Sequence, residues 1–444
     1  MTATLPAKAT RTAAHRAPRP ASRALTTPTA LRALLAGLVL LSLAWGAFGG
    51  WVATQHSSAA DSLVSTDERL SLDAREMFQS VGDADATITA AFLASPRPPR
   101  GQLQRYENDL ATAQRDQSAL QAAGGSPAEV SALANVGAGL SAYAGYVGET
   151  TAEYAMGYPL TGGSFLQDAS GEAHLVLLPA ANTVFTQEND ALNAASGQAT
   201  ELPTLLAALV LALVTAFVLY RAQRWLTRRT KRVLSPGLAL ASLLLVISVV
   251  WVAAGFLAAR SDLDGGIAHG SGPVQNLALA SIGVQQIRGD AVLNVISRSG
   301  STSFQSDFLA TSKKVGPGNG SLLGDAAAAQ QAGGQGAALL STAEQDATAW
   351  YAANNQVYLL NTKSDYAAER DLIVGSGAGS TGTAYTGLES DITSAIRADQ
   401  AVFDSAATKG ANALDPLAGV VIAASLLMAA GCAWAVSRRL AEYR

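Results

Sequence analysis

The chain is short of the residues on which most soluble folds and most enzymes depend. Its 444 residues include one cysteine, Cys432, so no intrachain disulfide can form. Its four histidines, at 15, 56, 174 and 269, are scattered, and beside a single thiol they exclude a cysteine–histidine metal site. Charged residues make up 14%, where ~25% is usual. Hydrophobic residues reach 49% and mean hydropathy is +0.20, so much of the chain is directed away from water. Aromatic residues are only 6% while alanine and glycine abound, which favours closely packed helices over a β-sandwich. Catalytic signatures are missing too: there is no HExxH, no GxSxG and no phosphate-binding GxxxxGK[ST]. No enzyme, catalytic residue, cofactor or metal is expected, and no nucleic-acid partner.

Four runs of about 20 residues are long enough to cross a ~30 Å hydrocarbon core at 1.5 Å per residue. The spans are placed at 31–54, 202–220, 237–259 and 416–436, and apart from Arg32 at the very start they carry no Asp, Glu, Lys, Arg or His. Transporters and pumps usually need such groups at mid-membrane, which argues against proton-coupled transport. A cleaved signal peptide is the alternative for the first run, disfavoured because the preceding tail is long.

Charge sets the expected orientation. The tail 1–30, Arg32, the short segment 221–236 and the end 437–444 together hold 15 cations and one acid. The two long segments, 55–201 and 260–415, hold 15 cations and 33 acids. By the positive-inside rule both termini and the basic loop are cytoplasmic, and both long segments are extracytoplasmic domains of a multi-pass plasma-membrane protein. The tail 1–30 is basic and disordered by composition.

The plan of span, long segment and span occurs twice, with faint echoes such as Tyr106-Glu107-Asn108-Asp109-Leu110 against Phe304-Gln305-Ser306-Asp307-Phe308, which points to tandem duplication. Both long segments read as helical. Leu70, Ala74, Met77, Val81, Ala84, Ile88 and Ala91 step by fours and threes, and so do Leu133 to Val147, Leu277 to Ala291 and Leu340 to Val357. Ser95–Pro99, Gly124–Pro127, Gly162-Gly163, Val315–Gly320 and Gly375–Gly382 punctuate the runs. Ser126-Pro127-Ala128-Glu129 has the form of a capping box with proline at the first helical position. About four helices per segment follow, so the fold class is all-α: four transmembrane helices and two four-helix-bundle-like domains. No linker separates the first span from the helix after it.

Several polar groups invite a functional reading. Asp83 with Asp85, Glu107 with Asp109 and Asp262 with Asp264 lie two apart, on different helix faces, and read as solvated acidic surface. Arg75 and Arg288 each directly follow a seam residue and are the candidate ligand-binding side chains. Arg221, Arg224, Arg228, Arg229, Lys231 and Arg232 form the basic cluster, a candidate surface for a cytoplasmic partner or for anionic lipid headgroups.

Each half resembles the four-helix-bundle extracytoplasmic sensors of bacterial chemoreceptors and sensor kinases, without the output domains that follow in those proteins. The whole architecture is similar to that of the GlnX membrane proteins of actinobacteria, over about residues 31–440, by length, topology and helical pattern rather than by a diagnostic motif. The resemblance implies a sensor that relays amino-acid availability from a solute-binding lipoprotein to a cytoplasmic Ser/Thr protein kinase. It carries no site residue over. An envelope scaffold or an auxiliary subunit of a transport complex is the alternative, and homodimer formation stays open.

Overall fold

The computed structural model describes residues 27–441 except 200, 231–235, 298–301, 319, 331–334, 376 and 378. The expected disordered tail therefore lies outside the described residues up to position 26, as do Lys231 and Arg232 of the basic cluster. All regular elements among the described residues are helical, and four of the long helices are apolar enough to cross a membrane.

The first half runs α1 (Thr27–Ser62), a π-helical turn (Leu63–Asp67), α2 (Glu68–Ala94), α3 (Arg100–Ala123), α4 (Pro127–Met156), α5 (Pro159–Glu172), a second π turn (Ala173–Leu177), α6 (Leu178–Ala199) and α7 (Leu202–Thr230). The second half opens the same way: α8 (Pro236–Gly266), a π turn (Ile267–Ser271) and α9 (Gly272–Ser297). It continues with α10 (Thr302–Val315), α11 (Leu322–Ala329), α12 (Gln335–Thr362), α13 (Tyr366–Val374) and α14 (Thr381–Ala441). The recurrence of a π turn just before the second helix of each half adds a backbone repeat to the faint echoes in sequence. Such turns insert one residue into the helical ladder and rotate the face that follows.

Two compact units emerge. One comprises the described residues within 1–49, 207–249 and 420–444, the other those within 50–206 and 250–419.

In the first unit, contacts between helices are made by small and hydroxyl residues. Gly46 faces Ser425 and Gly49 faces the Val421 side chain at a distance that leaves no space for a Cβ. The close approach thus uses Gly46 and Gly49. Trp45 Nε1 donates to Ser248 Oγ at 3.3 Å, and Gln223 Nε2 donates to Leu238 O and Ser242 Oγ, both at 3.0 Å. Leu209, Val210, Leu213, Phe217, Leu243, Val246 and Leu427 face outward, an apolar rim that water would not tolerate.

In the second unit the seams are the core. Ala74, Met77, Val81, Ala84 and Ile88 of α2 pack with Leu133, Val136, Leu140 and Tyr143 of α4 and with Leu177, Ala181 and Val184, nearly all of them fully buried. Leu277, Ala280, Val284 and Ile287 of α9 pack with Leu340, Ala343, Ala347 and Trp350 of α12 and with Leu388, Ile392 and Ala395 of α14. The capping box forms as its sequence predicts: Ser126 Oγ accepts from the Glu129 N–H at 3.1 Å, and a Glu129 carboxylate oxygen accepts from the Ser126 N–H at 3.3 Å. One expected break is corrected. Gly162-Gly163 lies inside α5, with Gly162 against the Tyr154 ring, and the chain turns instead at Gly157, φ +88°, ahead of Pro159. Pro159 at the first helical position starts α5, and the two glycines serve close packing.

The two bundles meet along α2 and α9. Gly82 marks the crossing: a Cβ there would stand 2.8 Å from Ile282 Cδ1 and run into the Gln285 amide. Ala278 and Ile282 of α9 belong to the same buried cluster as the first bundle.

Candidate functional site

A cleft of about 360 Å3 opens beside this crossing. Four helices wall it: Asp83 from α2, Arg105 and Asp109 from α3, Arg288 from α9, and Tyr385 and Glu389 from α14. The Arg288 guanidinium carbon lies 4.0 Å above the centre of the Tyr385 ring, a cation–π geometry. Its Nε makes no hydrogen bond among the described residues, and neither does Asp109 Oδ2. Asp83 accepts from Gln285 Nε2 and also sits in hydrogen-bond contact with Glu389.

Two carboxyl groups in such contact at a buried position cannot both be ionised. Burial, and then Glu389, hold the Asp83 carboxyl well above the carboxylate range, with Asp109 adding and Arg105 opposing. Burial pushes Asp109 up to about 6 against the pull of Arg105. The expectation of a solvated acidic face therefore fails for Asp83, Asp85 and Asp109. Each is shielded by residues from elements remote in sequence.

Asp83 and Asp85 do face different ways, and Asp85 builds a second polar centre. It is 2% exposed. It accepts from Tyr143 Oη at 3.3 Å and from Ser170 Oγ at 2.9 Å, and His174 Nε2 lies 3.2 Å away. The other imidazole nitrogen lies 3.9 Å from Asp290 of α9, so this histidine bridges the two bundles. Burial alone would lower the His174 pKa; the Asp85 hydrogen bond and charge, helped by Asp290, outweigh it and raise it. Ser170 bonds to the aspartate, so the order of contacts is not that of a nucleophile–base relay. His174 sits on the second π turn, and sequence reading gave no sign of it, since its partners lie 89 and 116 positions away.

The two arginines singled out in sequence are separated. Arg288 lines the cleft. Arg75, two helical turns before Asp83, instead donates from Nη1 to Gln400 Oε1 at 3.4 Å, and burial lowers its pKa. It stands among Glu76, Asp404 and Arg397. Beside it Glu68, also on α2, contacts Asp404 of α14, and burial and that partner raise it to about 8.

The basic cluster begins as helix. α7 continues through Thr230, with Ala222 and Leu226 buried one turn apart, which keeps 221–230 helical. Arg221, Arg224, Arg228 and Trp225 edge a groove of about 530 Å3 whose other wall is Ala33, Leu34, Gly37 and Leu38. Arg229 lies on the same helix, but its side chain, like Lys231 and Arg232 altogether, lies outside the described residues.

No curated protein and no solved structure matches the chain. Residues 59–197, which span α2 to α6 and so the first bundle with its polar centre, match the family model described as the actinobacterial sensor domain, here within a helical chain with four helices able to cross a membrane.

Proposed function

We propose that the chain is a non-enzymatic transmembrane signal relay: it senses an extracytoplasmic amino acid, directly or through a solute-binding lipoprotein, and passes the signal to a cytoplasmic Ser/Thr protein kinase. The observation that carries this reading is the pairing of a sensor-domain match at 59–197 with a second bundle of like order, the two joined along α2 and α9 beside an accessible polar cleft. A ligand need favour one arrangement of α2, α9 and α14 by only a few kcal/mol to shift the population. In the proposed orientation both bundles lie outside the cell, and the segment 221–236 joins the two halves on the inside. Signals from both bundles would combine there, and its cations suit an acidic surface on the kinase.

The experiment neutralises Arg224, Arg228, Arg229 and Arg232 while keeping Arg221 and Lys231 for topology. Reporter fusions after Gly125 and Gly375 should read outside and one after Thr230 inside, in both wild type and variant. With insertion intact, co-purification of the kinase should fall about tenfold and the response to amino acids should be lost. Unchanged kinase capture by a correctly inserted variant would leave the cluster as a topological anchor only, and an outside signal at Thr230 would reverse the orientation.

A further inference from the structure

The cleft has an anionic end and a cationic end, and together they specify a ligand. We propose that it binds a small zwitterion, the ammonium group seated between Asp83 and Glu389 and the carboxylate held by Arg288 and Arg105. This deepens the sensor reading above and rests on it.

The argument starts from charge. Three carboxyl groups, Asp83, Asp109 and Glu389, face two guanidinium groups, Arg105 and Arg288, across a cavity of about 360 Å3. Tyr385, Gln285, Gln102, Thr87 and the exposed Thr386 are further polar neighbours. The carboxyl groups do not pair off with the arginines. Asp83 and Glu389 instead contact each other, Arg288 lies on the Tyr385 ring, and Arg288 Nε and Asp109 Oδ2 lack hydrogen-bond partners. Groups of opposite sign stand apart on four separate helices, and the unpartnered Arg288 Nε and Asp109 Oδ2 leave hydrogen-bonding capacity that a dipolar molecule bridging the cleft would use.

A purely anionic ligand would satisfy the arginines and leave the three carboxyl groups without a cation. A purely cationic one would stand against both arginines. A zwitterion meets neither penalty, and a volume of about 360 Å3 holds a molecule of amino-acid size with some water.

The empty cleft must carry a proton, because Asp83 and Glu389 touch. Burial and the Glu389 contact hold the Asp83 carboxyl well above its ordinary value, so the shared proton is bound tightly there. An entering ammonium group supplies the positive charge instead, so the proton leaves to solvent: the carboxyl pair goes from one negative charge to two, and the ammonium keeps the total at minus one. Linkage then requires that binding strengthen as pH rises, about tenfold per unit where one proton is released. Asp109, at about 6, adds to the loss of affinity below that value.

The test uses the full chain in lipid nanodiscs and titration calorimetry. The probes are the twenty L-amino acids as zwitterions, glutarate and succinate as anions without ammonium, and 1,4-diaminobutane as a cation without carboxylate. Phosphate and Tris buffers at pH 7.5 give the proton count from the difference in binding heat. At least one amino acid should bind with release of about one proton, should weaken about tenfold from pH 7.5 to 6.5, and should outcompete both analogue classes. Glu389→Gln should abolish proton release and weaken binding at least tenfold; Arg288→Gln should weaken binding while leaving proton exchange in place. If either variant fails to fold, the wild-type proton count and the analogue panel decide alone. Failure of all twenty to bind, equal binding of an analogue lacking one charge, or binding without proton release would overturn the proposal. The first of these leaves the relay standing through its lipoprotein route; unchanged kinase capture by the correctly inserted loop variant, with amino-acid binding intact, would overturn the relay through the loop and leave the cleft.

Discussion

Replacing Asp85 by alanine is expected to cost about 3–5 kcal/mol of stability, enough to lower the melting temperature by roughly 10 °C. The carboxylate sits 2% exposed and receives the Tyr143 and Ser170 hydroxyls and the His174 imidazole. Removing it strands three donors in a dry interior, and each buried donor left unpaired costs about 1–3 kcal/mol. Tyr143 is among the largest fully buried side chains and cannot turn its hydroxyl to water. The imidazole would also lose the partner that holds its pKa up, and its remaining carboxylate, Asp290, is 3.9 Å away. Asp85→Asn keeps the shape and an acceptor, so about 1–2 kcal/mol is expected there. Thermal melts of the two variants in nanodiscs check the ordering. Equal losses for Ala and Asn would show that the carboxylate's charge, not its shape or a single remaining acceptor, sets the stability at this position.

Stability is expected to fall as pH rises from about 5 to about 8.5. Several acids bind protons more tightly in the folded chain than in the unfolded one. Burial, with Asp404 beside it and Gln400 opposing, raises Glu68 to about 8; burial, with Glu129 and Asp67, raises Glu188 to about 8. Burial raises Glu369 to about 7, opposed by Asn361. Each such group favours folding fully while it is protonated in both states, below its ordinary value near 4.5. Its contribution is lost progressively as pH climbs from there to the raised value. His174 acts in the same direction: its raised pKa gives stability below the ordinary value of 6.5 that disappears as pH passes the folded value. The groups facing it are Asp85 and Asp290. One pKa unit corresponds to about 1.4 kcal/mol before solvent screening is discounted. A melting temperature at least about 5 °C higher at pH 5.5 than at pH 8.5 is expected, and Glu68→Gln should remove part of the difference. A flat profile, or one rising with pH, would contradict the shared-proton reading of the Glu68–Asp404 and Glu129–Glu188 contacts.

The helical seams were legible because their information is local. A residue such as Met77 or Val284 declares its face through neighbours three and four positions away, and the structure buries both. The Ser126–Glu129 cap is equally local, and it forms. The spans follow from uncharged length alone. What sequence could not reveal were contacts between the halves. Asp83 meets Glu389, Glu68 meets Asp404 and His174 meets Asp290, across separations of 306, 336 and 116 positions. An acid on a helix reads as solvated unless its cover is known, and here the cover is another bundle. Arg288 was singled out because it follows a seam residue, and that position does put it at the cleft; the same reasoning applied to Arg75 led only to a buried contact with Gln400. Gly162-Gly163 misled for a related reason. Glycine serves close packing as readily as it breaks a helix, and only the Tyr154 ring beside it tells which.

The central claim is that binding at the two joined bundles is felt at the basic cluster. Hydrogen–deuterium exchange of the full chain in nanodiscs, with and without a saturating amino acid found by calorimetry or the lipoprotein loaded with it, tests this in one measurement. The account predicts slower exchange in peptides covering 83–90, 285–292 and 385–392, together with a change of either sign in peptides covering 221–235. Protection at the bundles with no change at 221–235, or no change in either region, would contradict it.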